Sequence, residues 1–446
     1  MDWACVFRRG IGLLVTCGFT SPIWALDLLT CYENALQNDA EYQAARATAD
    51  AGREILPMAR AQLLPNLSAN ATRMENDLTS QTTLLGQSRT ENSRYPSRNY
   101  ALILRQPIYR PAQYAGYLQA QARVESSEAS LESAGQDLGL RVATAYFNVL
   151  LSEDILVQLE VQGRAIETQL AAAQRALEAG QGTRTDIDDA QSKLDMNRAR
   201  QLGARQQILQ TRHELTILID QPVDKLQALS ISRLMPQEVK PAQLETWIER
   251  AGQSNPDLRD LRARIEIARQ EVARAEAGHK PTLDLVVQKT ISESDNVTNP
   301  DTRYDNKQVG IQLGIPLFAG GYVNAQVRQA QATLTAAELQ FEAQYRKLAT
   351  QVRKEFQGVT EGAEQILALE MAERSTQQSL HSNEKGFIAG TRSRIDILNA
   401  NEALATSRLE LSRTRLRYVM SHVRLLSLCG GLGRDAIAEI NRWLAD

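Results

Sequence analysis

The sequence predicts an α + transmembrane β chain written twice, with four strands for a barrel shared between copies and a wall of very long helices. Three observations carry this. The 446-residue chain has 13 prolines, yet none falls in residues 112–221 and none follows Pro316, so two long stretches lack the strongest helix breaker. The second half repeats the first at a shift of 210 residues. And the run from Val309 to Leu317 places a large aliphatic at every odd position and Gly, Gln or Pro at every even one, the period of a strand.

The repeat is read residue by residue. Gln119-Ala120-Gln121-Ala122 falls on Gln329-Ala330-Gln331-Ala332, Val142 on Val352 and Tyr146 on Phe356. Ala179-Gly180 falls on Ala389-Gly390, Asp186-Ile187 on Asp396-Ile397, and Ala190 on Ala400. Upstream, Pro107-Ile108-Tyr109 matches Pro316-Leu317-Phe318, and Pro65-Asn66-Leu67 matches Pro281-Thr282-Leu283, with small insertions between. Matched prolines and matched Ala-Gly turns argue for duplication over chance likeness among Ala- and Gln-rich helices.

Residues 1–25 read as an export signal: Arg8 and Arg9, an apolar stretch from Gly10 to Trp24, and Ala25 as the last residue before the cut. No later segment offers about 18 consecutive apolar residues, so no membrane helix is expected. Cys31 and Cys429 would remain after cleavage. Two cysteines permit a disulfide but build no framework. Leu29-Thr30 suits a lipoprotein cleavage site poorly, so no lipid anchor is expected.

Each repeat runs through the same elements. The first, 26–220, opens with a helix from about Tyr32 to Leu63 that Pro65 ends. A strand follows over Asn66–Met74, then a polar Thr/Ser/Asn-rich loop to about Asn99, then a second strand over Tyr100–Tyr109. Ala112–Ala179 is a single helix, on the order of 100 Å at 1.5 Å per residue. A Thr/Gln/Gly turn reverses the chain into a helix over Asp186–Ile219. Residues 221–240 are a linker. The second repeat, 241–429, has helix to His279, with Pro256 at the N-terminal position of its longer segment. A strand carries Leu283, Leu285, Val287 and Ile291 on one face, and Val309–Leu317 follows after a loop. Helices over Asn324–Ala389 and Ile395–Leu428 close it, and 430–446 is a C-terminal segment. Helices this long need neighbours along their whole length.

The strands need closure as well. An aliphatic face backed by a small or polar one leaves bare apolar surface and open edges in water, whereas in a bilayer it is the expected alternation. Tyr100, Tyr109, Phe318 and Tyr322 lie at strand ends, where aromatics suit a membrane interface. Four strands cannot enclose a passage. Two copies would give eight, too narrow; three would give twelve. A small soluble sandwich between helices is the competing reading.

The order of motifs resembles outer-membrane efflux proteins of the TolC family along essentially the whole chain after the signal. The residues that carry this are Gly278-His279-Lys280-Pro281-Thr282-Leu283, Gly314-Ile315-Pro316-Leu317-Phe318, and the turns Thr185-Asp186-Ile187 and Gly390-Thr391-Arg392-Ser393-Arg394-Ile395-Asp396-Ile397-Leu398. The resemblance implies a homotrimer whose twelve-stranded barrel sits in outer-membrane lipid of a Gram-negative bacterium and continues as a periplasmic α-helical barrel. It implies partners too: a periplasmic adaptor and an inner-membrane ABC or proton-driven transporter, with export of proteins (type I secretion) or small toxic molecules. A soluble periplasmic adaptor or a structural coiled-coil protein is the alternative.

Site residues also come from the resemblance. An Asp at the place of Asp396 forms a ring that narrows the periplasmic entrance and favours cations, as a ring of carboxylates in a constriction does. A second Asp of that ring is Asn399 here, which predicts a weaker ring. An Arg–Asp link between neighbouring coiled coils closes the entrance; its positions match Arg392 and Asp186, with Thr185 beside the latter. An assisting Tyr is Phe387 here, so that hydrogen bond is lost. The plain alternative for Arg392 and Asp186 is helix-end charge. Arg394 has no counterpart.

Other chemistry finds little in the sequence. Lys+Arg number 50 against Asp+Glu 53, so there is no basic field for nucleic acid. His213, His279, His381 and His422 are scattered without metal-ligand spacing. Gly430-Gly431-Leu432-Gly433 lacks the Lys and the strand–helix context of a phosphate loop, and Asp188-Asp189 suits a solvated helix start. No catalytic residue, metal or cofactor is expected.

Overall fold

A computed structural model describes residues 25–84, 86–230, 241–294 and 301–444. All of the expected signal except Ala25 lies outside the described residues, as does the second half of the linker.

The chain begins with three short helices, α1 (Leu28–Asn38), α2 (Ala40–Arg53) and α3 (Ile55–Ala61), where the sequence suggested one helix from Tyr32 to Leu63. Asp39 makes the first break. Its backbone is extended and its side chain accepts from Tyr42 N at 2.8 Å, capping α2. Pro57 accounts for the second, because a proline lacks the N–H that α2 would need and fits the first turn of a new helix.

The strands are longer than expected. β1 (Asn66–Leu84) and β2 (Gln87–Tyr109) form one antiparallel hairpin in register from Asn66–Arg105 to Leu84–Gln87. Gly86, at φ +81°, takes the left-handed backbone the turn demands. Residues 75–84 and 87–99 of the expected polar loop are therefore strand. Thr, Ser and Asn on both faces hide the alternation, yet the Thr residues favour extended backbone and the hairpin supplies the partners. β3 (Thr282–Ser294) and β4 (Thr302–Gly314) complete a sheet of order β1-β2-β3-β4, antiparallel throughout. β4 ends at Gly314, short of the predicted Leu317.

Cross-strand partners share a face, so the register sorts the sheet's two sides. Leu67, Leu104, Val287 and Val309 form one row, and Leu285 and Ile311 extend the same face. Val309, Ile311 and Leu313 are 75%, 67% and 59% exposed. The other face of β4 carries Gln308, Gly310, Gln312 and Gly314. The aliphatic side is thus bare in a single chain, and β1 and β4 are both edges.

The long helices agree closely with the sequence reading. α4 spans Pro111–Glu178 and α5 Arg184–Ile219; after α6 (Leu244–Ser254) and α7 (Pro256–Glu276), α8 spans Tyr322–Ile388 and α9 Arg394–Leu428. Pro111 sits in the first turn of α4 and Pro256 in that of α7, which Asn255 caps. α4 pairs with α5 and α8 with α9, while α7 packs on α4 and α8. One window of α4 is apolar enough by length and composition to cross a membrane, but α4 spends Leu138, Val142, Tyr146, Phe147 and Val149 on the main core.

That core lies where the helical halves and chain ends meet. Tyr146 donates to Gln227 O at 2.9 Å, Leu26 bridges Leu226, and Asn441 on α10 (Arg434–Asn441) accepts from Leu28 N at 3.0 Å. Cys31 and Cys429 are both free and buried. Burial pushes the Cys31 thiol up to about 12, so it stays protonated.

Candidate functional site

The far ends of the two long helical hairpins, a whole helix length from the sheet, are two equivalent turns. Gly180 and Gly390 take φ of +72° and +76°. The Gln181 and Thr391 N–H groups reach back to Ala176 O and Gly386 O at 2.8 and 2.9 Å, closing α4 and α8 in the same way. The next helices then start on matching capping boxes. Thr183 caps α5 and Ser393 caps α9, each with an Asp at the third helical position, Asp186 and Asp396.

The bonds are nearly superimposable. Thr183 Oγ1 and N donate to Asp186 Oδ2 at 2.7 and 3.1 Å. Ser393 Oγ and N donate to Asp396 Oδ2 at 2.9 and 2.8 Å. The hydrogen bonds from the Ser393 backbone and hydroxyl, with Arg392 nearby, hold the Asp396 carboxyl below its ordinary 3.8. It is thus fixed at a helix start and ionised, a favourable place for a negative charge.

The structure separates the expected site residues within one chain. Among the described residues no ion pair joins Arg392 to Asp186. Arg392 and Thr185 are exposed, and Arg392 acts on Asp396. Arg394, unassigned from sequence, stacks its guanidinium over the Phe387 ring at 4.8 Å.

Asn399 takes part in a contact that sequence reasoning missed. Lys193 of α5 donates to Asn399 Oδ1 at 2.8 Å and lies 3.7 Å from Glu402. This joins the two hairpins inside one chain, about two helical turns behind Asp186. The 210-residue register held the only signal for it. Ala403 stands where the repeat would place Lys193's equivalent, and Asp189 occupies the place equivalent to Asn399. The hairpins differ here, and the difference makes the bridge.

Deeper in the first hairpin, Asn197 is 2% exposed and donates to Leu159 O at 3.2 Å and Gln162 Oε1 at 3.1 Å, while Gln201 donates to Asn197 Oδ1 at 2.8 Å. The second hairpin is tied by Arg408–Glu373 at 2.9 Å and Arg415–Glu370 at 2.8 Å. Each hairpin is thus internally braced. Large apolar residues nevertheless remain bare along α5 and α8, among them Leu202, Leu209, Ile217, Leu339 and Met371. Such rows need covering neighbours.

At the opposite end, Arg110, between β2 and α4, donates from Nε to Asp284 Oδ1 at 2.8 Å, fixing strand to helix. A bulge between Pro107 and Tyr109 turns Tyr109 to the aliphatic face beside Leu283. Tyr100 lies on that face too, opposite Ile291. Phe318 and Tyr322 are among the most exposed aromatics at the strand–helix junction.

The sequence profile of the outer membrane efflux protein family matches residues 31–219 and 247–431, one segment in each repeat. The chain belongs to that family. It is 33% identical over 412 residues to the alkaline protease secretion protein AprF of Pseudomonas aeruginosa, covering 92% of this chain and 85% of that protein. It is 28% identical over 445 residues to the outer membrane protein TolC of Escherichia coli, covering 98% and 88%. The solved structure of the outer membrane protein VceC of Vibrio cholerae shares the fold, with a TM-score of 0.79 at 18% identity over 91% of this chain and 96% of that one.

The efflux-family protein is thus an outer-membrane exit duct, extending into the periplasm of a Gram-negative bacterium. The soluble-adaptor and coiled-coil readings are not favoured, because the likeness spans the strands and both hairpins. The family's members are channel proteins that work with an adaptor and an inner-membrane transporter, and TolC-like channels are trimers. In a trimer the open β1 and β4 edges and the bare rows on α5 and α8 have somewhere to go.

Proposed function

We propose that this duct serves type I secretion, passing protein from an inner-membrane ABC transporter and its adaptor to the outside. The observation that carries the reading is the likeness to a protein named for protease secretion, at 33% identity across 92% of the chain. Passage is passive, and the chain's own work is to hold the path open at the barrel and closed at the turns.

Closure resides in three features. Asp396, repeated in a trimer, gives a ring of fixed negative charge at the entrance, and Asn399 in place of a second carboxylate keeps that ring weak. Arg392 of one chain reaches the Asp186–Thr185 corner of a neighbour, since within its own chain it has no such pair. Lys193 ties the hairpins behind them, while Phe387 serves as a stacking platform for Arg394.

The membrane level follows from the aromatics. Tyr100 and Tyr109 lie nine positions apart on β2. At about 3.3 Å per residue and roughly 40° of tilt they are separated by about 23 Å along the bilayer normal, close to the apolar band of a barrel. Phe318 and Tyr322 join Tyr109 on the periplasmic side.

Deleting the gene tests the choice of cargo. The reading expects proteins of the secreted protease class to vanish from the medium, with little change in sensitivity to dyes and detergents. Normal protein export together with hypersensitivity to small toxic molecules would instead assign the duct to efflux.

A further inference from the structure

We propose that the aliphatic face of the barrel ends in a cationic collar that binds a phosphate-bearing glycolipid of the outer leaflet. The inference rests on the outer-membrane location and not on the nature of the cargo. The collar follows from strand register. The row Leu67–Leu104–Val287–Val309 is wholly aliphatic. One step toward the hairpin ends, on the same face, the row is Ala69–Leu102–Lys289–Lys307; the next is Ala71–Tyr100–Ile291–Asp305, and the next Arg73–Arg98–Glu293–Arg303. Over these three rows five cations meet two carboxylates at the hairpin-side end of the aliphatic surface, Lys289 and Lys307 one row inside Tyr100 and the three arginines one row beyond it.

The pairing of these charges calls for an external anion. Lys289 stands directly opposite Lys307, and Arg73 directly opposite Arg98, and like charges in such cross-strand positions oppose each other. The two carboxylates are already engaged, Asp305 with Lys289 at 3.6 Å and Glu293 with Arg303 at 3.2 Å and Arg98 at 4.0 Å. Arg73 meets only Glu75 of its own strand, at 3.5 Å. Among the described residues Lys307 has no ion-pair partner in the chain. Arg73 and Arg303 keep 66% and 64% of their side chains open. The lumen-side residues at the same levels, Gln288, Thr290, Ser292, Asn306 and Gln308, are uncharged, so the positive charge belongs to the outward face alone.

Position selects the lipid. The strands leave the tube at Thr282 and Gly314, and the collar lies on the hairpin side of the aliphatic rows, which is the outer leaflet. A headgroup there that offers phosphate groups on a sugar core would meet both like-charged pairs, with its acyl chains against Leu104, Val287 and Val309. Cations at an interface facing anionic headgroups gain from the same proximity.

The test uses the purified full-length trimer in detergent, incubated with bisphosphorylated lipid A or with its dephosphorylated form, and native mass spectrometry of retained lipid. The wild type is expected to retain the bisphosphorylated lipid and release the dephosphorylated one. The Lys289→Gln/Lys307→Gln double variant should bind roughly 30-fold more weakly, the effect of two cations removed from an anionic lipid surface. Lys289→Arg/Lys307→Arg should bind as the wild type does. Equal retention of the two lipids by wild type would overturn the proposal even if the Gln variant failed to assemble. Displacement of the lipid by an equal concentration of inorganic phosphate would also overturn it, by showing a site for the free ion.

Discussion

Lys193 and Asn399, 206 residues apart in the chain, meet at 2.8 Å near the turn ends of the two helical hairpins. The ammonium also lies within 3.7 Å of Glu402, so a single side chain of the first hairpin grips two residues one helical turn apart on the second. An exposed link of this kind adds only about 0.2–1 kcal/mol to folding. Its larger effect is on position, because it holds α5 against α9 beside the proposed gate.

Lys193→Met is therefore expected to leave trimer stability nearly unchanged while making resting cells more permeable. Uptake of a large glycopeptide antibiotic should rise, and Asn399→Ala should raise it in the same direction. The double variant should be no leakier than the leakier single one, as expected for partners in one contact. Additive effects would separate the two residues.

Asp396 is expected to govern ion selectivity. Its carboxyl is held below the ordinary 3.8 by the Ser393 hydrogen bonds and Arg392, so the charge should persist as pH falls through 4 and disappear only at lower pH. Reversal potentials across a salt gradient would show cation preference retained over that range in wild type. Asp396→Asn keeps a capping side chain but loses the charge, and should weaken selectivity at neutral pH; Asp396→Ala should also raise conductance. A selectivity unchanged in both variants would exclude the ring.

The Arg392–Asp186 link between chains can be read by cross-linking. Cys31 and Cys429 are buried and should stay silent, so an Arg392→Cys/Asp186→Cys variant is expected to give oxidised species of trimer size on a non-reducing gel. Either single Cys variant should stay monomeric on that gel. Monomer alone from the double variant would leave both residues as helix-end charges.

Much of this molecule was legible in the sequence, for identifiable reasons. Missing prolines marked α4, α5, α8 and α9 to within a few residues, because nothing else in such stretches competes with a helix. The Val309–Leu317 alternation marked a strand since one face is apolar and the other small or polar. Residues 75–84 and 87–99 were unreadable as strand because both of their faces are polar. Asp186 and Asp396 sit three residues after a Thr or Ser, a local pattern. Lys193–Asn399 has no local pattern; it depends on how α5 is rotated against α9. The proposed Arg392–Asp186 link has no local pattern either, since it would need a second copy of the chain.

Asp39 offers a stability test away from the gate. It caps α2 and accepts from Arg141 Nη1 and Nη2, both at 3.1 Å. Burial works to raise its pKa, but the Arg141 and Tyr42 bonds outweigh it and the net shift is downward. With the folded value depressed, its contribution is complete above the unfolded value near 3.8 and is lost as pH falls through the folded one. Asp39→Ala should cost about 2–4 kcal/mol, a cap plus a charged hydrogen bond. Asp39→Asn should cost less, because it still caps. Thermal melting of the trimer at neutral pH and below pH 4 would check both the order and the sign.

Single-channel conductance of the purified trimer in planar bilayers shows whether the duct is shut at its helix turns. The comparison is between wild type and the Lys193→Met/Arg392→Ser variant. Wild type should show a small, cation-preferring resting conductance and the variant a several-fold larger one, with the barrel unchanged. Equal resting conductance in the two proteins would contradict it and place the constriction elsewhere along the tube.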